Sequence, residues 1–392
     1  MSSFANELLP GHPNPLDDEL LSSWIVRLAA VNRLKLHTFS TLLWPGDEIW
    51  NRDIDSSVNA RVLSTLSCRT GVARERVAGT TLAHFAGTLF ERQNRSGPTT
   101  LVLPAGVYHR RRRLYGLQFC PICIAESVPY YRRKWRLAFV TVCELHDIML
   151  FDRCQSCGEP VNFHRGDLGN RNAYDASATL TRCHLCKTDL RQFVFPPSPR
   201  RQIIEAAIYQ QRLLDTLECG YIVLLNGSVL YAHLFFSGLR HMLQLLAAGG
   251  RMAKLRGKMC ELTGLSDFSP TWQGGLRSIE TLAVSDRFSL MFLFLYLIRD
   301  WPKTFIDIMR GLDMSASDLT GKMPVVPYWL AQVVQDNFQR GTYSPTVPEI
   351  DNAIKYLRRR AFPVTKTTIS RVLGTSDVLR KRRLGHLLGL RT

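Results

Sequence analysis

Long apolar runs are missing from this chain. The most apolar window, residues 288–298, is eleven residues long and is closed by Arg299 and Asp300. A membrane-spanning helix needs roughly 20 apolar residues, so the window is expected to be a buried helix and no membrane partner is expected. Residues 1–20 hold acids and prolines but no apolar run of useful length, which argues against a signal peptide. Catalytic signatures are missing too. There is no His-Glu-x-x-His helix, and Gly321-Lys322 lacks the upstream glycine and following Ser/Thr of a phosphate-binding loop. No Gly-x-Ser-x-Gly elbow occurs either, and nothing singles out a catalytic set from the many carboxylates. The expectation is a soluble, intracellular protein that is not an enzyme.

Acidic residues are scarce in two stretches. Residues 109–136 carry eight Lys/Arg against Glu126, a balance of +7, and residues 355–392 carry eleven against Asp377, a balance of +10. Together they account for the whole net charge of +17. Two concentrated basic surfaces imply phosphate contacts, hence DNA as a partner. The candidates are Arg110, Arg111, Arg112, Arg113, Arg132, Arg133, Lys134, Lys366, Arg371, Arg380, Lys381, Arg382 and Arg383. Tyr130, Tyr131 and Trp135 interleave with the first set and either stack on nucleic acid or pack against the adjacent cysteine region.

What the chain does have is cysteine in pairs. Cys120/Cys123, Cys143/His146, Cys154/Cys157 and Cys183/Cys186 each enclose two residues, and all four pairs lie within 67 residues. Seven of the ten cysteines fall there. Two residues between ligands let a tight turn aim both side chains at one ion, so four pairs supply two tetrahedral zinc sites. A sequential partition puts Cys120, Cys123, Cys143 and His146 on one ion and Cys154, Cys157, Cys183 and Cys186 on the other. In a RING-type cross-brace, alternate pairs share an ion, but the spacer there between second and third pairs is usually two or three residues. Here it is seven. Loops of 19 and 25 residues suit successive treble-clef or ribbon-like fingers. His164 and His184 are near enough to be spare ligands, but the cysteine pairs already fill the sites. Four protein ligands per ion leave no place for water, which favours a structural role.

The expected fold is mostly α. Residues 1–108 form a helical, helix-turn-helix-like domain, with one helix after Asp17-Asp18-Glu19, a second over 37–44, and helical character over 56–95 broken at Gly71 and Gly79. Residues 109–195 form the tandem zinc-finger region, a small α+β element. Residues 196–345 form a helical scaffold, clearest at 203–217, 230–246, 288–298 and 302–309, with a short strand over 221–225 ending at Asn226-Gly227. Residues 346–392 form a basic helix-turn-helix. Thr346 and Glu349 make a capping box, Pro363 ends that helix, 365–373 is a second helix, and a third carries Arg380–Arg383. In that third helix Arg380 and Arg383 occupy inward positions, so backbone contact is expected rather than base reading.

At this point the chain resembles the TniQ family. Leu20-Leu21-Ser22-Ser23-Trp24-Ile25-Val26-Arg27-Leu28-Ala29 and Ile49-Trp50-Asn51-Arg52-Asp53-Ile54-Asp55 are similar to the opening of that family. The ordered run Cys120-Pro121-x-Cys123, Trp135, Cys143/His146, Cys154/Cys157-Gly158 and Cys183/Cys186 is similar to its zinc region. The resemblance covers roughly residues 10–190. It implies an accessory protein of DNA transposition that selects or marks target DNA and recruits an AAA+ ATPase regulator of TniB or TnsC type. In some CRISPR-associated elements such a protein docks on an RNA-guided complex instead of reading DNA itself. The partners so expected are DNA, the ATPase, in such elements the guide complex, and a second copy of the chain as a homodimer. Two other readings remain: a sequence-specific zinc-containing regulator that binds DNA alone, and an enzyme, against which the closed sites and the seven-residue spacer count.

Overall fold

A computed structural model describes residues 8–91, 99–105, 114–166, 179–194, 200–272, 277–321, 326–338 and 345–374. The chain divides into two units, Met1–Asn337 and Phe338–Thr392.

In the first unit, Leu20, Leu21, Trp24, Ile25 and Leu28 recur at helical spacing and all are buried, so α1 (Leu21–Val31) sits inside the unit rather than on it. The acids before α1 act as ion-pair partners, with none in its first turn. Glu19 pairs with Arg27 at 2.7 Å, and Asp18 with Arg133 at 3.3 Å. Arg33, at φ 55°, turns the chain into α2 (Leu36–Leu43). Helical character over 56–95 is shorter than expected. Gly71, at φ 71°, caps α3 (Ala60–Thr70), and Gly79 follows the single turn of α4 (Arg74–Ala78). Beyond it, among the described residues up to 91, only a 3-10 turn forms, at Leu82–Phe85.

Two small antiparallel sheets are present among the described residues. β1 (Val142–Cys143) pairs with β2 (Ile148–Met149) inside the cysteine region. After α5 (Arg200–Cys219), β3 (Tyr221–Val223) pairs with β4 (Val229–Tyr231). The expected helix over 230–246 therefore starts later, as α6 (Ala232–Ala247), because Leu230 belongs to the hairpin. The reason lies in Asn226-Gly227. Gly227 takes φ 81°, and Leu224 and Ser228 close the turn with a backbone bond of 2.9 Å, so the strand that starts at Tyr221 must be answered by a second one.

The helical block continues with α7 (Arg251–Thr263), α8 (Val284–Ile298), α9 (Lys303–Gly311), α10 (Ala316–Thr320) and α11 (Tyr328–Phe338). α8 contains the most apolar window and is buried nearly all round, with Leu290 to Leu295 all inside. Among the described residues no helix is long and apolar enough to cross a membrane. Phe235, Phe294, Trp301 and Trp329 form an aromatic cluster at the centre of the block.

Two buried polar side chains, Gln210 and Arg287, tie this block to the cysteine region, and a third, Glu280, ties it to the segment just before that region. Gln210 of α5 accepts from the N–H groups of Thr141 and Val142 and donates to Val142 O at 2.9 Å. Arg287 of α8 donates to Ala138 O at 2.8 Å and Gln118 Oε1 at 3.0 Å. Glu280 accepts from Leu101 N at 2.9 Å and Arg240 at 2.6 Å. Each is a group whose unpaired burial would be costly, so together they fix the helical block in one register against the cysteine region and the segment before it.

In the second unit, α12 (Val347–Arg359) begins with the expected capping box at Thr346 and Glu349, and α13 (Lys366–Val372) with another at Thr365 and Thr368. Ile350, Ala353, Ile354, Leu357 and Ile369 form their shared core. The third helix, with Arg380, Lys381, Arg382 and Arg383, lies outside the described residues.

Candidate metal centres and their surroundings

The eight ligand candidates gather into two groups, Cys120, Cys123, Cys143 and His146, and Cys154, Cys157, Cys183 and Cys186. This is the sequential partition rather than the cross-brace. In the first group His146 Nδ1 lies 3.4 Å from Cys120 Sγ, 3.3 Å from Cys123 Sγ and 3.5 Å from Cys143 Sγ. The Cys123 and Cys143 sulfurs are 3.6 Å apart. In the second group, Cys154 to Cys186 and Cys157 to Cys183 are each 3.6 Å. A tetrahedron with metal–sulfur bonds of about 2.3 Å has edges of about 3.8 Å, so both groups are close to the size of one four-coordinate ion. No cysteine is in a disulfide.

Three of the four pairs use one backbone device. The residue after the second ligand takes a left-handed conformation: Asp147 at φ 49°, Gly158 at 70° and Lys187 at 63°. Its N–H donates back to the carbonyl of the first ligand at 3.0, 2.9 and 3.1 Å respectively. Such a knuckle turns both ligands to one side. The pair Cys120/Cys123 differs, since it lies on a helical turn in which Ile124 N–H donates to Cys120 O at 3.1 Å. The first centre therefore combines a helical turn with a knuckle, and the second joins two knuckles in ribbon fashion.

Burial separates the centres. Cys120, Cys123 and Cys143 are buried, whereas Cys157 and Cys186 of the second centre are exposed. Metal release to a chelating dye is accordingly expected in two phases of about equal amplitude. The fast phase should vanish in Cys157→Ser; loss of the slow phase instead would reverse the assignment.

The described basic candidates fare differently from one another. Arg132 lies over the rings of Tyr130 and Trp135, at 4.9 and 5.8 Å. Arg133 pairs with Asp18 and donates to Gly79 O, and Lys134 pairs with Glu144. Tyr131 and Trp135 are buried against each other edge to face. Lys366 and Arg371 are exposed on α13. Arg110, Arg111, Arg112 and Arg113 lie outside the described residues, like the C-terminal set.

Arg136, the last residue of the first basic run, is where the sequence reading missed a role. Its side chain is 1% exposed, and it pairs with both Asp53 and Asp55 while donating to Leu103 O at 2.7 Å. Asp55 also accepts from the N–H and hydroxyl of Ser22, both at 2.8 Å. All three segments that resemble TniQ thus converge on one buried network: Ser22 from the first, Asp53 and Asp55 from the second, Arg136 beside the knuckles. The available signal was an Asp-x-Asp pair with a single arginine set next to a core tryptophan.

One cation faces two carboxylates here. Burial pushes Asp55 up to about 7, and Asp53 adds to the rise against the opposing effect of Arg136. For Asp53, burial acts in the same sense, but Arg136 outweighs it and holds the carboxyl below its ordinary value. Asp55 is raised above its unfolded value of 3.8, so its contribution to stability is full below that value and is lost as pH rises through about 7. Up to about 1.4 kcal/mol per pH unit is expected from one such proton. Denaturant midpoints measured from pH 5 to 8 should show this slope in the wild type and lack it in Asp55→Asn; an identical slope in both would refute the linkage.

The fold and the paired clusters define a mostly helical protein with two four-residue Cys/His groups, each able to hold a metal ion. Residues 10–150, a little over a third of the chain, match the family model described as TniQ. No curated protein matches the chain.

Proposed function

We propose that the chain is a non-catalytic adaptor of DNA transposition that selects or marks target DNA and recruits an AAA+ ATPase regulator of TniB or TnsC type. The TniQ match over residues 10–150 carries this reading. The metal in both centres is zinc: three thiolates with one imidazole, and four thiolates, are its preferred structural ligand sets. Bound zinc supplies cross-links rather than a reactive water, because each centre already offers four protein ligands. The first centre braces residues 130–136 against α1, where Leu20 N–H donates to Tyr131 O at 2.9 Å and Arg133 N–H to Asp18 O at 2.7 Å.

DNA contact is assigned to the second unit. Lys366 and Arg371 are exposed on α13, and Arg358 and Arg359 are exposed in the last turn of α12. Phosphate contacts of this kind weaken steeply with salt. Lys366→Glu with Arg371→Glu is expected to lower DNA affinity and to reduce the logarithmic salt slope by about two. An unaltered slope would remove α13 from the interface. The paired α12 and α13, each opened by a capping box, also suit a regulator that binds a sequence alone. Footprinting separates the two readings, since only the regulator protects a defined site without partners.

A further inference from the structure

The helical block carries a groove that neither the metal centres nor the basic unit uses. It lies between α5, the end of α7 and α8, and has a volume of about 360 Å³. Its walls include Arg201, Gln202 and Glu205 of α5, Leu262 of α7, and Phe292 and Arg299 of α8. The volume suits a few side chains of a ligand rather than a globular surface.

We propose that this groove binds a short acidic peptide segment of a partner protein, seating an apolar side chain between two arginines that hold carboxylates. Three observations carry this. Arg201 and Arg299 are exposed on opposite walls, and neither forms an ion pair among the described residues. Arg299 is held over the ring of Tyr296 at 4.1 Å and donates to the Tyr296 hydroxyl at 3.4 Å, and its other N–H groups can reach a carboxylate. Leu262, an apolar residue of the groove wall, is 46% exposed, an apolar seat left open to solvent.

Charge and shape favour a peptide over nucleic acid. Two arginines on separate helices, with Glu205 also in the wall, do not make the continuous cationic track that a strand needs. The inference does not depend on the transposition reading: a DNA-binding failure in the second unit would leave it intact, and the reverse holds too.

The test is to pan a displayed library of short random peptides on the full chain, with depletion on Arg201→Glu/Arg299→Glu. Enriched peptides should carry Asp or Glu beside a leucine or aromatic. Their affinity, read by fluorescence anisotropy, should fall by about tenfold or more in the charge-reversed variant and in Leu262→Lys. Arg201→Gln/Arg299→Gln should show a smaller loss in the same direction. Circular dichroism and metal content should be unchanged in all three, since the altered side chains are exposed. The proposal is overturned if no peptide is enriched, if enriched peptides lack carboxylates, or if they bind the variants equally well. It is also overturned if single-stranded oligo-dT displaces them and itself depends on the same arginines.

Discussion

Arg136→Met will destabilise the first unit by about 3–5 kcal/mol, the range for removing one partner from a buried ion pair. The substitution keeps an unbranched side chain of comparable volume, so the loss is mainly electrostatic and polar rather than a cavity. It strands Asp53 and Asp55 without a cation and leaves Leu103 O without its donor. The cost should appear as a lower denaturant midpoint with an unchanged slope. Adding Asp53→Asn and Asp55→Asn to Arg136→Met should recover part of it, because neutral amides need no counter-ion. A loss below about 1 kcal/mol would mean that the network behaves like a surface pair, against its burial.

Cys123→Ser carries the other large effect. Apparent binding energies of structural zinc run to about 10–16 kcal/mol, and a serine hydroxyl is a poor replacement for a thiolate. Metal content should fall from about two ions per chain to about one. The damage should spread beyond the ligand, because Phe119 and Phe151 pair through backbone bonds of 2.8 and 2.9 Å next to this centre, and residues 130–136 bond to the start of α1. Cys157→Ser should also lose one ion but with less unfolding, since its centre is the more exposed. Unchanged metal content in Cys123→Ser would remove that cysteine from the ligand set.

The ligand pairs were legible in the sequence because a two-residue spacing is a local constraint that the knuckle turn satisfies directly. Their partition was legible as well: seven residues between His146 and Cys154 leave each centre its own neighbours in the chain. Helices with a clean apolar period, α1 and α12, fell where the pattern puts them, whereas α8, apolar nearly all round, contains the expected window but begins earlier, at Val284. The misses have physical causes. α7 buries Arg256 on the same face as Met252, Leu255 and Met259, which blurs its period; that arginine is satisfied by the carbonyls of Leu246, Ala248 and Phe268. Leu230 reads equally well in a strand or a helix, and the turn before it decided the matter. Arg136 read as part of a basic surface because its two carboxylates are 81 and 83 residues away in the chain. Sequence charge does not reveal which member of a basic run turns inward.

Retention of the ATPase on DNA tests the adaptor reading most directly. Biotinylated duplex DNA would be immobilised, and binding of the AAA+ ATPase encoded in the same element followed by interferometry with and without this protein. The guide complex would be added where the element encodes one. The account predicts that the ATPase is retained at target DNA only when the protein is present. It also predicts that retention is lost in Cys123→Ser along with one metal ion. Equal retention without the protein, or footprint protection of a defined site by the protein alone with no effect on the ATPase, would contradict it.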